Sequence, residues 1–188
     1  KHLVYQHEAP TIWCVHCQTA IAQADLEDRE QASTFNDIAF SSEAGTKVVI
    51  STTRPELLPA CVCVYVHPDD QRYASLVGKT LVVPLFHQRV PVFADPSASP
   101  EKGTGVLMIC SYGDKYDVEA VMTRKLAPRI VLTRDGKLSV GRYAGLSLKD
   151  ARKEILADLE KERALLAKKP ITHTVNVHER CGTEVEFL

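Results

Sequence analysis

The chain has 188 residues, 45% of them apolar and 25% charged, with a net charge of −1 at pH 7. That composition excludes a disordered chain and fits one globular domain with a hydrophobic core. The balanced charge excludes the excess Lys and Arg with which a stand-alone nucleic-acid binder displaces counterions from phosphates. No run of about 18 apolar residues occurs, and the start, with Lys1, His2 and then Gln6-His7-Glu8, lacks the apolar stretch of a signal peptide. A soluble, cytoplasmic protein without membrane contact is therefore expected.

In chain order, residues 1–46 contain short strands and polar pairs, including Cys14-Val15-His16-Cys17. From Lys47 onward β-rich runs dominate: Lys47 to Ser51, Cys61 to His67, Leu81 to Val83, Arg89 to Ala94, Val106 to Cys110 and Arg129 to Leu132, with Pro and Gly between them. Several runs are almost continuously apolar, which predicts a sheet covered in places on both faces. A short helix is expected over Asp69 to Leu76. A longer one is expected from Lys115 to Leu126, with Val118, Val121, Met122 and Leu126 on one face and Pro128 beyond its end. Asp135-Gly136 marks a hairpin turn. The last helix should start at Ser147, with Asp150 completing a capping box, and reach about Lys168 on a stripe of Leu148, Ala151, Ile155, Leu159 and Leu166.

The expected fold class is α/β (α+β): a compact β-barrel-like core with peripheral helices. Residues 1–46 would form an N-terminal stalk and first strands, 47–169 the barrel core with its helices, and 170–188 a returning C-terminal stalk. Two ends lying side by side are what an inserted domain requires.

Three constellations carry chemistry. In Ser51-Thr52-Thr53-Arg54-Pro55-Glu56, proline stops a strand and displays two hydroxyls and a guanidinium at its end. This suits a carbonyl or phosphate ligand, and it equally suits a plain capped turn. In Gly103-Thr104-Gly105, followed by a strand and then Asp114-Lys115-Tyr116-Asp117, the glycines allow close backbone approach and the two carboxylates share one helical turn. Asp114 and Asp117 can simply cap the helix, or an Asp at this junction can grip an ammonium group. The third constellation pairs Cys14 and Cys17 with His178 and Cys181. Each half has two ligands three apart, the knuckle spacing of a tetrahedral zinc site, while reduced cytoplasmic thiols are the alternative. Cys61 and Cys63 read as small buried hydrophobes, no secreted disulfide framework is indicated, and His7, His16 and His173 read as surface histidines.

Thr-Thr-Arg-Pro-Glu after one strand and Gly-Thr-Gly before an Asp-x-x-Asp junction together resemble the editing domain inserted in the class I synthetases for valine, isoleucine and leucine. Val66-His67-Pro68-Asp69-Asp70 and Leu76-Val77-Gly78-Lys79 lie between the two signatures, and the similarity spans nearly the whole chain. Glu56 after the proline and the ending His178-Glu179-Arg180-Cys181-Gly182-Thr183 look more like the valine branch, with leucine the nearest competitor. The resemblance implies that Asp117 binds the α-amino group of the attached amino acid. It implies that Thr52, Thr53 and Arg54 frame the ester and the terminal adenosine, and that Asp114 shapes the pocket. Cys61, Met108 and Cys110 would also face the substrate, and here the sequence departs from the commoner bacterial pattern. Met108 stands for lysine, Cys61 for an acid, Cys110 for threonine and Gly113 for histidine. A structural zinc at the base of the insertion is also implied.

The implied activity is post-transfer editing, the hydrolysis of threonine misattached to tRNA(Val), with Asp117, Arg54 and Thr53 as catalytic residues. No cofactor is expected for hydrolysis, because a positioned water suffices where no nucleophilic triad is evident. Threonine and valine are nearly isosteric, so a second, polar sieve is needed to separate them. Expected partners are the tRNA(Val) acceptor end with its terminal adenosine and the remainder of a parent synthetase, the protein being a monomer. Alternatives are a noncatalytic RNA-binding or zinc-stabilised interaction module, the leucyl or isoleucyl version of the same domain, and a free-standing deacylase. An aromatic content of 6% weakens the RNA-binding alternative.

Overall fold

A computed structural model describes residue 4 and residues 9–188. His7 lies outside the described residues. The elements run β1 (Ile12–Cys14), β2 (Thr19–Ala20), β3 (Leu26–Ser42), β4 (Lys47–Thr52), β5 (Cys61–Val66), β6 (Thr80–Val82), β7 (Arg89–Ala94), β8 (Val106–Cys110), α1 (Lys115–Thr123), α2 (Leu148–Lys161), β9 (Leu165–His178) and β10 (Glu186–Phe187), with short 3-10 turns that include Pro55–Ala60. The main sheet has the order β4-β3-β6-β7-β5-β8, with β9 added to β3, and a small sheet has the order β10-β1-β2. The fold is thus the mixed α/β arrangement expected, a curled sheet with few helices.

The core follows from strand alternation. Ile38 and Phe40 pair across strands with Ile50 and Val48, so all four point to one face and are buried. β5 is buried along its whole length. Val64 and Val66 enter the main core, whereas Cys63 and Tyr65 join Val121 of α1 and Ile109 in a second cluster. This two-sided cover explains the unbroken apolar run. Helix α2 packs Ala151, Ile155 and Leu159, one turn apart, on the main core. Ser147 caps it by accepting the Asp150 N–H at 3.2 Å, and the Asp150 carboxylate meets the Ser147 hydroxyl at 2.6 Å instead of reaching back to the backbone.

Several elements differ from the sequence-based expectation. Helix α2 ends at Lys161, because Arg163 takes a left-handed φ of 55° and the Ala164 N–H returns to the Leu159 carbonyl at 2.8 Å. Leu166 therefore lies on β9 and is half exposed. Helix α1 ends at Thr123 in the same way, with Lys125 at φ 52° and Leu126 bonded back to Val121, and Met122 faces solvent. Residues 69–76 form turns with only Ala74–Leu76 in a 3-10 helix. Residues 129–132 form no strand: the Arg129 N–H is taken by the Ser111 hydroxyl, and Leu132 makes only an isolated bridge to Leu138 across the predicted Asp135-Gly136 turn. The largest surprise is length, since β3 has 17 residues and β9 has 14. They pair antiparallel from Leu26↔His178 to Ile38↔Leu165 as a ribbon joining the small sheet to the main one.

Candidate functional site

The Thr-Thr-Arg-Pro segment sits where β4 leaves the sheet. The Thr52 hydroxyl accepts the Arg54 N–H at 3.0 Å, and the Asn36 amide donates to the Thr52 carbonyl at 3.2 Å, so the corner is held from both sides. Pro55 then starts the 3-10 turn, where its fixed φ and missing donor do no harm. Arg54 is fully engaged. Nε donates to Glu56 at 3.2 Å, Nη1 to the Gly113 carbonyl at 3.2 Å, and Nη2 to both carboxylate oxygens of Glu186 at 2.8 Å. Glu56 also accepts two bonds from Arg152 at 2.8 Å. These two arginines and two glutamates balance in charge, which is what lets Glu56 and Glu186 remain buried.

The Gly-Thr-Gly loop is packed against the same strand. A Cβ on Gly103 would lie 2.8 Å from the Ser51 Cβ, and φ at Gly103 is 61°, so only glycine fits without strain. Between the glycines, the Thr104 hydroxyl donates to the Val49 carbonyl at 2.7 Å. β8 then carries the chain to the junction with α1.

At that junction Asp114 is the helix N-cap, accepting the N–H groups of Tyr116 at 2.7 Å and Asp117 at 2.9 Å. Asp117 is half-buried, and its Oδ1 accepts the Cys110 N–H at 3.1 Å. Burial pushes its carboxyl well above the usual carboxylate range, and the Asp114 charge adds to this, while the Cys110 N–H and Arg54 oppose it. Among the described residues no Lys, Arg or His forms an ion pair with it. Thr53 is half-buried beside Arg54.

The remaining expected pocket residues divide. Cys110 is buried, and its Sγ lies 3.4 Å from the Leu57 carbonyl. Cys61 is its cross-strand partner, and Met108 lies in the main core. Burial raises both thiols far above their ordinary value, so neither is a ready nucleophile. A small cleft of about 20 Å³, lined by Leu57, Ala60, Gly113, Arg129 and Phe187, runs beside Gly113. Met108 and Cys61 do not line it.

Cys14, Cys17, His178 and Cys181 converge, with ligand atoms all within 4.8 Å of one another. Cys14 and Cys181 sulfurs lie 3.6 Å apart, and His178 Nδ1 is 3.6 Å from Cys17 Sγ and 3.4 Å from Cys181 Sγ. These separations fit a tetrahedral zinc, whose ligands at about 2.3 Å would stand roughly 3.8 Å apart. Hydrogen bonding to Thr183 draws Cys181 down to about 6, while desolvation and the neighbouring thiols push Cys17 up to about 11. His16 is exposed and His173 half-buried.

Glu56, Arg152 and Glu186 are the members that sequence reasoning missed. Glu56 belongs to the quoted motif and signalled itself only as its acid. Glu186 is 132 residues from Arg54, and nothing local marks it.

No protein-family model matches the chain. It is similar to the valine–tRNA ligases of Haloarcula marismortui, with 44% identity over 98% of this chain and 22% of that protein, and of Archaeoglobus fulgidus, with 45% identity over 100% and 22%. The valine–tRNA ligase of Rickettsia rickettsii is 43% identical over 100% of this chain and 24% of its own length. The chain thus spans about a quarter of these relatives. Its fold matches a LeuRS of Agrobacterium radiobacter K84, solved as a ternary complex with tRNA and LeuAMS, at a TM-score of 0.56 and 20% identity over 81% of this chain and 21% of that one. Over its whole length the chain belongs, as a segment, to the valine–tRNA ligase family of class I aminoacyl-tRNA synthetases.

Proposed function

We propose that this segment is the editing domain inserted in a valine–tRNA ligase and that it hydrolyses the ester of threonine misattached to tRNA(Val). The observation that carries this reading is Asp117: a half-buried carboxylate held by a backbone N–H, raised in pKa, with no cationic side chain paired to it among the described residues. An ammonium group is the complement such a carboxylate lacks, and every aminoacyl ester presents one.

In this reading the α-amino group pairs with Asp117, which draws the carboxylate to its charged form and fixes the ester near Thr52 and Thr53. Water adds to the ester carbonyl, the bond to the ribose oxygen breaks, and that oxygen leaves with a proton as the terminal hydroxyl. Asp114 acts indirectly by capping the helix that carries Asp117. Arg54 acts from behind the loop, since all three of its guanidinium nitrogens already donate within the protein. Zinc, bound by Cys14, Cys17, His178 and Cys181, would pin the base of the β3–β9 ribbon and supply no chemistry to hydrolysis. The segments that lead through the β3–β9 ribbon then serve as the two-way connection to the parent enzyme, residues 38–42 of the expected 1–46 stalk belonging instead to the main sheet, and the tRNA(Val) acceptor end is the partner.

The test is calorimetric binding of non-hydrolysable threonyl- and valyl-adenosine, repeated with Asp117→Ala. Preference for the threonyl analogue that disappears on substitution supports the reading. Equal binding of both, indifferent to Asp117, would move a noncatalytic RNA-binding role ahead.

A further inference from the structure

We infer that Glu186 is a positioning residue of the proposed deacylation centre, acting through Arg54 on the loop that carries Gly113. The inference rests on the editing reading above and adds to it a residue from the far end of the chain.

Glu186 is 3% exposed, and both its oxygens sit 2.8 Å from Arg54 Nη2. Glu56 holds Nε of the same guanidinium. With one carboxylate on each of these nitrogens the plane of the guanidinium is fixed, and the remaining nitrogen, Nη1, is aimed at the Gly113 carbonyl. Gly113 in turn donates its N–H to the Cys110 carbonyl at 2.9 Å. The next residue is the cap of α1, and the space where a Gly113 side chain would stand is filled by the Asp117 carboxylate. The contacts therefore run without a gap from Glu186 through Arg54 and Gly113 to Asp117.

A buried ion pair is weak evidence for stability, because desolvation offsets most of its attraction, but it does fix orientation. Glu186 pairs with Trp13 in the small sheet, the sheet that also brings Cys14 to the Cys/His cluster. The returning C-terminal segment thus delivers its carboxylate to the centre only when that sheet is assembled, and the centre is incomplete without it.

The experiment uses the full-length ligase and measures steady-state deacylation of threonyl-tRNA(Val), with valine aminoacylation as the check on folding. Glu186→Gln, which keeps the shape and loses the charge, should lower kcat about tenfold or more while KM stays within about threefold, as expected for misplacement rather than lost binding. Glu186→Asp, which keeps the charge on a shorter stem, should fall between the two. Wild-type kcat in Glu186→Gln would make Glu186 a tie between segments and nothing more. If Glu186→Gln loses aminoacylation as well, Glu186→Asp decides by the same kcat criterion. Asp117→Ala runs alongside: no deacylation by the wild-type ligase would sink the editing reading, retained deacylation in Asp117→Ala would remove the anchor on which that reading and this inference both rest, and loss there with normal Glu186 variants would sink only this inference.

Discussion

Asp117 Oδ2 occupies the position in which a side chain at Gly113 would begin, so the two residues exclude one another sterically. The constraint is one of space, since φ at Gly113 is not positive. The Cys110 Cβ and Leu57 Cδ1 close the other sides at 3.3 Å, leaving the carboxylate as the part able to move. A histidine, usual at this position in the commoner pattern of the resembling family, would need a different Asp117 rotamer. Gly113→Ala should therefore swing Asp117 off the Cys110 N–H and reduce threonyl-tRNA deacylation about tenfold or more, the order expected of a misplaced anchor. Melting temperature should change little by comparison. Unchanged deacylation by Gly113→Ala would show that the carboxylate does not work from its present position.

The raised Asp117 carboxyl gives a pH dependence of definite sign. Its folded pKa lies above the ordinary 3.8, so the native state holds this proton more tightly than the unfolded chain. That contribution to stability is fully present below about pH 4 and is lost as pH rises through the raised value. At pH values above the raised one, the domain without substrate carries a buried charge at a cost that Asp117→Asn removes. The variant should melt higher than wild type where the carboxyl is ionised, by about 2–4 °C for each roughly 1 kcal/mol of that cost in a domain of this size. The gain should vanish near pH 4, and threonyl-adenosine binding should be lost throughout. Melting curves across pH check this, and a gain that persists unchanged at pH 4 contradicts the assignment.

Local chemistry was readable in the sequence wherever one segment determines it. Ser147 and Asp114 cap their helices as their neighbours predict, and Thr52 to Pro55 close β4 as a proline after a strand requires. The Cys/His halves could be matched because both have knuckle spacing. What could not be read depends on distant partners. Arg163 and Lys125 end helices in the left-handed conformation without the glycine that usually announces it, so both helices were expected to run longer. The β3–β9 ribbon draws much of its strand character from a partner more than a hundred residues away. The Arg54–Glu186 pair has the same origin: Arg54 reads as a ligand-facing guanidinium and Glu186 as an ordinary surface charge, and nothing local joins them.

The Cys/His cluster predicts one zinc per chain. Metal analysis of the purified protein should find it, and Cys14→Ser, which removes one of the two buried ligands, should lower zinc affinity more than about a hundredfold, beyond the range for loss of an outer partner. Trp13 and Val15 flank this ligand and contact the 132–138 hairpin, through the Trp13 Nε1 bond to the Arg134 carbonyl at 2.8 Å and the packing of Val15 on Gly136. Chelation should therefore loosen that hairpin too, read as faster amide exchange over residues 132–138. Exchange limited to residues 14–17 and 178–181 would show that the knuckle and the hairpin are uncoupled.

Charge balance around Glu56 yields the last prediction. Glu56 is fully buried and accepts from both Arg54 and Arg152, so Glu56→Gln leaves two arginines facing the single carboxylate of Glu186. Removing one partner from a buried pair costs about 3–5 kcal/mol, and the partial exposure of the Arg152 side chain puts this case at the low end. About 3 kcal/mol corresponds to a fall in Tm of roughly 6–12 °C. Adding Arg152→Met restores neutrality, leaving Arg54 with Glu186, and should recover more than half of the loss. The two substitutions share a partner, so their effects should be strongly non-additive in a double-mutant cycle. Additive losses would mean instead that the Arg152 stem matters by packing α2 onto the 55–60 turn, and that the quartet is not held together by its charge.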